Sequence, residues 1–217
     1  MKKHISRRAV LKTGLAAGVV GAADVTRAFD YRPALSPTPP EIKGPFYPIV
    51  AQKDKDFDLT RIEGHENAAT GEPIIIDGTV VDTAGQPVSD ATVDLWQACA
   101  SGKYGHPHDP NTAEPDPDFQ GWAIVPSGEK GGFRFKTIMP GPYPAAPDWI
   151  RPPHIHFKVS KRGYVELITQ MYFPGHRLNE VDLLLLRKGT EERKLMIATG
   201  QPGELKTFSY RIVLQKA

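Results

Sequence analysis

Proline and glycine interrupt this chain too often for it to be built from long helices: 21 prolines and 20 glycines are scattered through 217 residues. Proline fixes φ and removes a backbone donor, and glycine bends or ends regular elements, so the pattern suits short strands joined by many turns. Between the breaks the sequence is strand-like. Residues 74–98 (IIIDGTVVDTAGQPVSDATVDLWQA) carry β-branched runs separated by turn residues at 82–85 and 89–90. There Ala91, Val93 and Leu95 alternate with Thr92, Asp94 and Trp96, which predicts a strand with one face in the core. Further strands are expected at 132–138, 154–160, 166–172 and 208–214. One helix is expected, at 180–187, with Asn179 as its cap. Residues 100–131 are polar and rich in Pro, Asp and His, which predicts a long functional loop. The expected fold is all-β: a β-sandwich of mostly antiparallel strands with long active-site loops and an N-terminal Pro-rich arm.

The N-terminus has a composition of its own. Residues 1–28 combine a basic start, a twin arginine at Arg7 and Arg8, a short apolar stretch and a small-residue end near Ala28. This is the pattern of a twin-arginine signal peptide and predicts a periplasmic or secreted protein. The apolar part, residues 16–23, is far shorter than the ~20 residues a membrane helix needs, so no membrane association is expected of the mature form. Residues 29–72 are expected to form an arm and loops, and 73–217 the sandwich domain. Within 29–48 there are six prolines, but Phe46 and Tyr47 in GPFYP argue for an arm docked on the body rather than a free linker.

Charge and cysteine usage exclude several functions. The net charge is only +2 and basic residues crowd the N-terminal segment, so no nucleic-acid partner is expected. The single cysteine, Cys99, excludes an intramolecular disulfide and a multi-cysteine zinc or iron–sulfur site. A metal would have to use His, Tyr or carboxylate.

One motif invites such a metal. In RPPHIHF, residues 151–157, His154 and His156 are two apart in an expected strand and project from one face. By themselves they are equally well a pair with ordinary hydrogen-bonding roles. Tyr143, between Pro142 and Pro144, sits in a stiff loop just upstream, and Tyr104 lies where an expected strand runs into the long loop. Either tyrosine alone reads as core or surface.

Taken in order, GPFYP, DLWQACASGKY, DPDFQGW, GGFRFKTIMPGPYP, RPPHIHF and ITQMYF resemble the intradiol ring-cleavage dioxygenases, and the chain length resembles the protocatechuate 3,4-dioxygenase branch. The resemblance implies one non-haem Fe(III) per chain, held by Tyr104, Tyr143, His154 and His156. It implies a catechol-type aromatic substrate, protocatechuate-like, and dioxygen. Cleavage would fall between the two hydroxyl carbons and give a cis,cis-muconate-type dicarboxylate. Tyr143 would leave the metal as substrate chelates and act as its base, Arg151 would stabilise negative charge on the ring, and Gln170 would support the arginine. The resemblance also admits assembly as a homo-oligomer.

Relative to the family pattern, Ile150 is an extra residue between Trp149 and Arg151, and Cys99 replaces a usual Asn or Asp. His106, His108 and His176 read as solvated loop histidines, and Trp96, Trp122 and Trp149 as packing residues. The alternative reading is a non-catalytic module, because DGTVVDTAGQPVSDATVDLW also resembles transthyretin-like and adhesin domains. A periplasmic copper or zinc carrier using the histidine pair would leave the tyrosines without a purpose.

Overall fold

The computed structural model describes residues 33–217; the signal peptide expected at 1–28 lies outside the described residues. In chain order the strands are β1 (Pro73–Asp82), β2 (Thr92–Trp96), β3 (Trp122–Pro126), β4 (Gly132–Ile138), β5 (Tyr143–Ala146), β6 (Trp149–Arg151), β7 (His154–Ser160) and β8 (Leu167–Tyr172). A helix α1 (Thr190–Met196) precedes β9 (Thr199–Gln201) and β10 (Lys206–Leu214). Two four-stranded sheets, ordered β4-β1-β10-β9 and β3-β2-β7-β8, form the sandwich, and β5 and β6 make a separate hairpin. Pairing is antiparallel except between β1 and β10, so the expected mostly antiparallel sandwich is what forms.

Strand parity positions the site. Ile155, Phe157 and Val159 of β7 face the core beside Val93 and Leu95 of β2 and Ile74 and Ile76 of β1, all of them buried. Burying an aliphatic or aromatic side chain of this size contributes about 1.5–3 kcal/mol, which locks the register of β7. His154 and His156 therefore project from the outer face of the sheet. An outer face is usually wet, yet both histidines are buried. The N-terminal arm lies on His156, where a Cβ on Gly44 would come within 3.3 Å of its Cε1, and the Tyr143 and Tyr172 rings flank His154.

The arm is docked by its backbone. Leu35 N–H donates to Thr83, and Thr38 and Val213 exchange bonds through the Thr38 backbone and hydroxyl. Farther on, Glu41 N–H donates to Ile168 O, Thr169 Oγ1 to Pro39 O and Gln170 Nε2 to Ile42 O, all along β8. These bonds also cap an edge strand that would otherwise offer open donors and acceptors. Tyr47 then donates its hydroxyl to Asp94 at 2.7 Å, and Trp122 donates to the other oxygen of that carboxylate at 2.8 Å.

Four sequence expectations are corrected. Strand β2 is buried on both faces, because Asp94 and Trp96 lie beneath the arm. The stretch 100–131 is not all loop: it contains β3, paired with β2. The helix is α1, not 180–187. Around 180–187 the chain instead makes two short 3₁₀ turns, Arg177–Glu180 and Leu185–Arg187, because the Asp182 carboxylate takes the backbone N–H groups of Leu184 and Leu185 and closes the chain locally. The first of these turns is capped by His176, and Asn179 lies within it. Among the described residues no helix is long and apolar enough to cross a membrane.

Candidate metal centre

Register brings the site together. Across the outer face of the second sheet Trp122, Trp96, His156 and Gln170 are directly paired neighbours on β3, β2, β7 and β8, and His154 pairs with Tyr172. His154 Nε2 and His156 Nε2 are 3.2 Å apart, and the Tyr104 hydroxyl is 3.2 Å from His156 Nε2. The Tyr143 ring packs 5.4 Å from Tyr104 and 5.7 Å from His154, centroid to centroid. Thus the four anticipated ligands converge.

Each is held from behind. Tyr104 leaves β2 through the Cys99–Gly102 turn, and its backbone N–H donates to the Asp109 carboxylate at 2.7 Å. The Tyr143 loop is clamped on that turn, since Gly141 N–H donates to Cys99 O. A Cβ on Gly102 would meet Pro142 O, which explains a glycine there, with its φ of +85°. Trp96 stacks flat on His156 at 4.8 Å, and Phe46 of the arm packs 5.0 Å from Tyr104.

Burial sets the protonation. It drives the His154 pKa well below the usual histidine value and that of His156 down to about 3, with the Arg151 charge acting in the same direction. Both imidazoles are neutral at pH 7. His154 Nδ1 lies 2.7 Å from Pro152 O, so its proton sits on Nδ1 and the Nε2 lone pair faces the site. Burial also raises both phenols, Tyr104 well above its usual range, and Arg151 works against it.

Arg151 and Gln170 are at the same place. Arg151 Nη2 donates to Gln170 Oε1 at 2.6 Å and to the Tyr172 hydroxyl at 3.0 Å, while Nε donates to Asp182 at 2.8 Å. The extra residue Ile150 is paired in the hairpin, opposite Pro144, and Arg151 lies directly opposite Tyr143; the bulge between Pro144 and Ala146 leaves Ala145 unpaired on the facing strand. The histidine expectation fails for His106, which is buried and packs on Phe46, while His108 is exposed and His176 half-buried. Of the tryptophans, Trp149 is only half-buried and donates to Asp182. Cys99 is buried, its Sγ 3.1 Å from Ser101 Oγ.

Can these residues hold a metal? Two donors each about 2.1 Å from one ion are roughly 3 Å apart, which is the spacing of the two Nε2 atoms and the Tyr104 oxygen. Among the described residues no three of His, Cys, Asp and Glu come together, so the tyrosines are needed to complete a donor set. The set fits a hard, highly charged ion.

Comparison with known proteins gives the family. A family model described as Dioxygenase matches residues 42–216, which defines the class. The protocatechuate 3,4-dioxygenase beta chain of Burkholderia cepacia is 34% identical over 207 residues, covering 86% of this chain and 87% of that one. A chlorocatechol 1,2-dioxygenase of Cupriavidus pinatubonensis is 36% identical over 63% of this chain, and the match spans about half, 54%, of that longer protein. The crystal structure of 3-chlorocatechol 1,2-dioxygenase from Rhodococcus opacus superimposes with a TM-score of 0.64 at 25% identity, covering 85% of this chain and 74% of that one. The chain belongs to the intradiol ring-cleavage dioxygenase family, in its protocatechuate 3,4-dioxygenase-like branch.

Three residues of the site escaped the sequence reading: Asp182, Tyr172 and Trp96 as the platform under His156. The parity of β7 was a usable signal for two of them, since the strands paired with His154 and His156 present Tyr172 and Trp96 to the same face. Asp182, embedded among leucines, gave none.

Proposed function

We propose that the protein holds one non-haem Fe(III) per chain and, with dioxygen, cleaves a catechol-type ring between its two hydroxyl carbons to a cis,cis-muconate-type dicarboxylate. The observation that carries this reading is the convergence of Tyr104, Tyr143, His154 and His156, two phenols and two neutral imidazoles, on one point. Phenolates are hard anionic donors that favour ferric over ferrous iron. When bound, that ion supplies a Lewis acid that lowers the pKa of both catechol hydroxyls. The chain's own residues then handle protons and charge. Tyr143, at the start of the β5–β6 hairpin, takes a substrate proton on its phenolate oxygen. Tyr104 stays in place, wedged between Phe46 and His156 with its backbone tied to Asp109. Arg151 is a fixed cation beside Tyr143 that stabilises negative charge growing on the ring. Gln170 orients the arginine with Oε1 and holds the arm with Nε2.

A protocatechuate-like substrate is supported by the likeness to the Burkholderia beta chain, and the chlorocatechol relative makes substituted catechols the comparison set. The test is dioxygen uptake over a panel of catechols. Tyr143→Phe and His154→Ala should each lose activity by at least a hundredfold, the scale of removing a group that acts in the transition state. Retained activity in both variants refutes the reading. Further, we propose export by the twin-arginine signal of residues 1–28, tested by fractionating cells carrying Arg7→Lys/Arg8→Lys, and a homo-oligomer, tested by its mass in solution.

A further inference from the structure

We propose that Asp182 is the positioning residue for Arg151, the group that aims and charge-balances the guanidinium beside the metal centre. The inference rests on the catalytic reading above, in which Arg151 acts on charge developing in the ring. Both side chains are buried, with Asp182 wholly sequestered, and Arg151 Nε meets Asp182 Oδ2 at 2.8 Å. Arg151 Nη2 is occupied by Gln170 and Tyr172, so among the described residues Nη1 is the guanidinium nitrogen without a partner. The fork is thus anchored along one side, leaving the Nη1 amino group to meet substrate.

Asp182 is itself immobile. It accepts from the backbone N–H groups of Leu185 at 2.8 Å and Leu184 at 3.2 Å, from the Tyr172 hydroxyl at 3.4 Å and from Trp149 Nε1 at 3.3 Å. The Trp149 ring also lies 5.4 Å from the guanidinium carbon, so hairpin, β8 and the 3₁₀ turn all fix the pair. Its charge matters as much as its geometry. A buried arginine without a counter-ion would repel a metal cation nearby, whereas the pair is neutral overall.

The test is a double-mutant cycle on iron-loaded protein, with Asp182→Asn, Arg151→Gln and both together, reading kcat and KM with a catechol. Asp182→Asn should lower kcat roughly ten- to a hundredfold with a smaller change in KM. In the Arg151→Gln background the same change should cost less than about threefold, because the group it serves is gone. Equal losses in both backgrounds would mean that Asp182 merely holds the fold, and would overturn the proposal. Should Asp182→Asn not fold, Asp182→Glu, which keeps the charge but displaces the guanidinium, takes its place under the same criterion. A wild type that binds iron yet consumes no dioxygen with any catechol would overturn the catalytic reading and this one with it; an active wild type with additive losses overturns this one alone.

Discussion

His154 and His156 are histidines that burial keeps neutral, and that has a thermodynamic consequence in the metal-free protein. The folded pKa of His156 is about 3, and that of His154 is also well below the ordinary value, against about 6.5 in an unfolded chain. Between those values the unfolded chain binds more protons than the folded one, so stability is full above about pH 6.5 and falls as pH drops towards 3. Thermal melts of metal-free protein should show a falling midpoint from pH 7 to 4; a flat profile contradicts the assignment. At Gly44, φ is +74° and an added Cβ would lie 3.3 Å from His156 Cε1. Gly44→Ala should therefore cost about 1–2 kcal/mol from the left-handed backbone alone, read in a denaturant titration. A period of two put both histidines on one face, but that pattern alone left them equally well ordinary hydrogen-bonding residues and either tyrosine as core or surface; only the resemblance of the ordered motifs to a family made the four a candidate ligand set. Asp182 was not legible, because it meets Arg151 across 31 residues through a fold the local sequence does not announce.

The β5–β6 hairpin couples two candidate roles, since it pairs Tyr143 directly with Arg151. Trp149 lies two residues before Arg151 and shares its face, which lets the indole reach Asp182. Deleting Ala145 removes the bulge and leaves the pairing of Tyr143, Pro144, Ile150 and Arg151 intact. Deleting Ile150 places Trp149 next to Arg151 and turns the indole to the opposite face. Dioxygen uptake should accordingly survive the first deletion within about threefold and fall roughly tenfold or more in the second, the scale of losing a supporting contact. Comparable losses would show that the hairpin does not read register. Strands were easier to foresee than the helix for a related reason. Strands β4 and β7 announce themselves by alternation, and β8 and β10 differ from expectation only at their first residues. The four leucines 183–186 look helical, but the chain turns there about the buried Asp182 carboxylate, leaving Leu184 and Leu185 inside and Leu183 and Leu186 exposed. Strand β3 was hidden because its outer face is covered by neighbours remote in sequence, Lys55 and Tyr47 against Trp122 among them.

At the scale of the whole molecule, a sandwich with its chemistry on an outer face needs something to exclude water from that face, and the arm does so. Its Phe46 and Gly44 lie on Tyr104 and His156, so the groups proposed to hold iron also form the surface on which the arm rests. Metal and arm should therefore stabilise one another. The two Nε2 atoms face each other at 3.2 Å, so the metal-free site brings together lone pairs that a ligated ion would satisfy. An ion present at a thousand times its dissociation constant stabilises the folded state by about 4 kcal/mol. In a domain of this size that raises the melting midpoint by roughly 8–16 °C. Chelation of the loaded protein should bleach any tyrosinate-to-iron absorption, lower the midpoint by that amount and speed proteolysis within 33–48. Loss of colour and stability with the arm still equally protected would mean that the backbone bonds to β8 and β10 hold the arm without help from the metal, and that the two are independent.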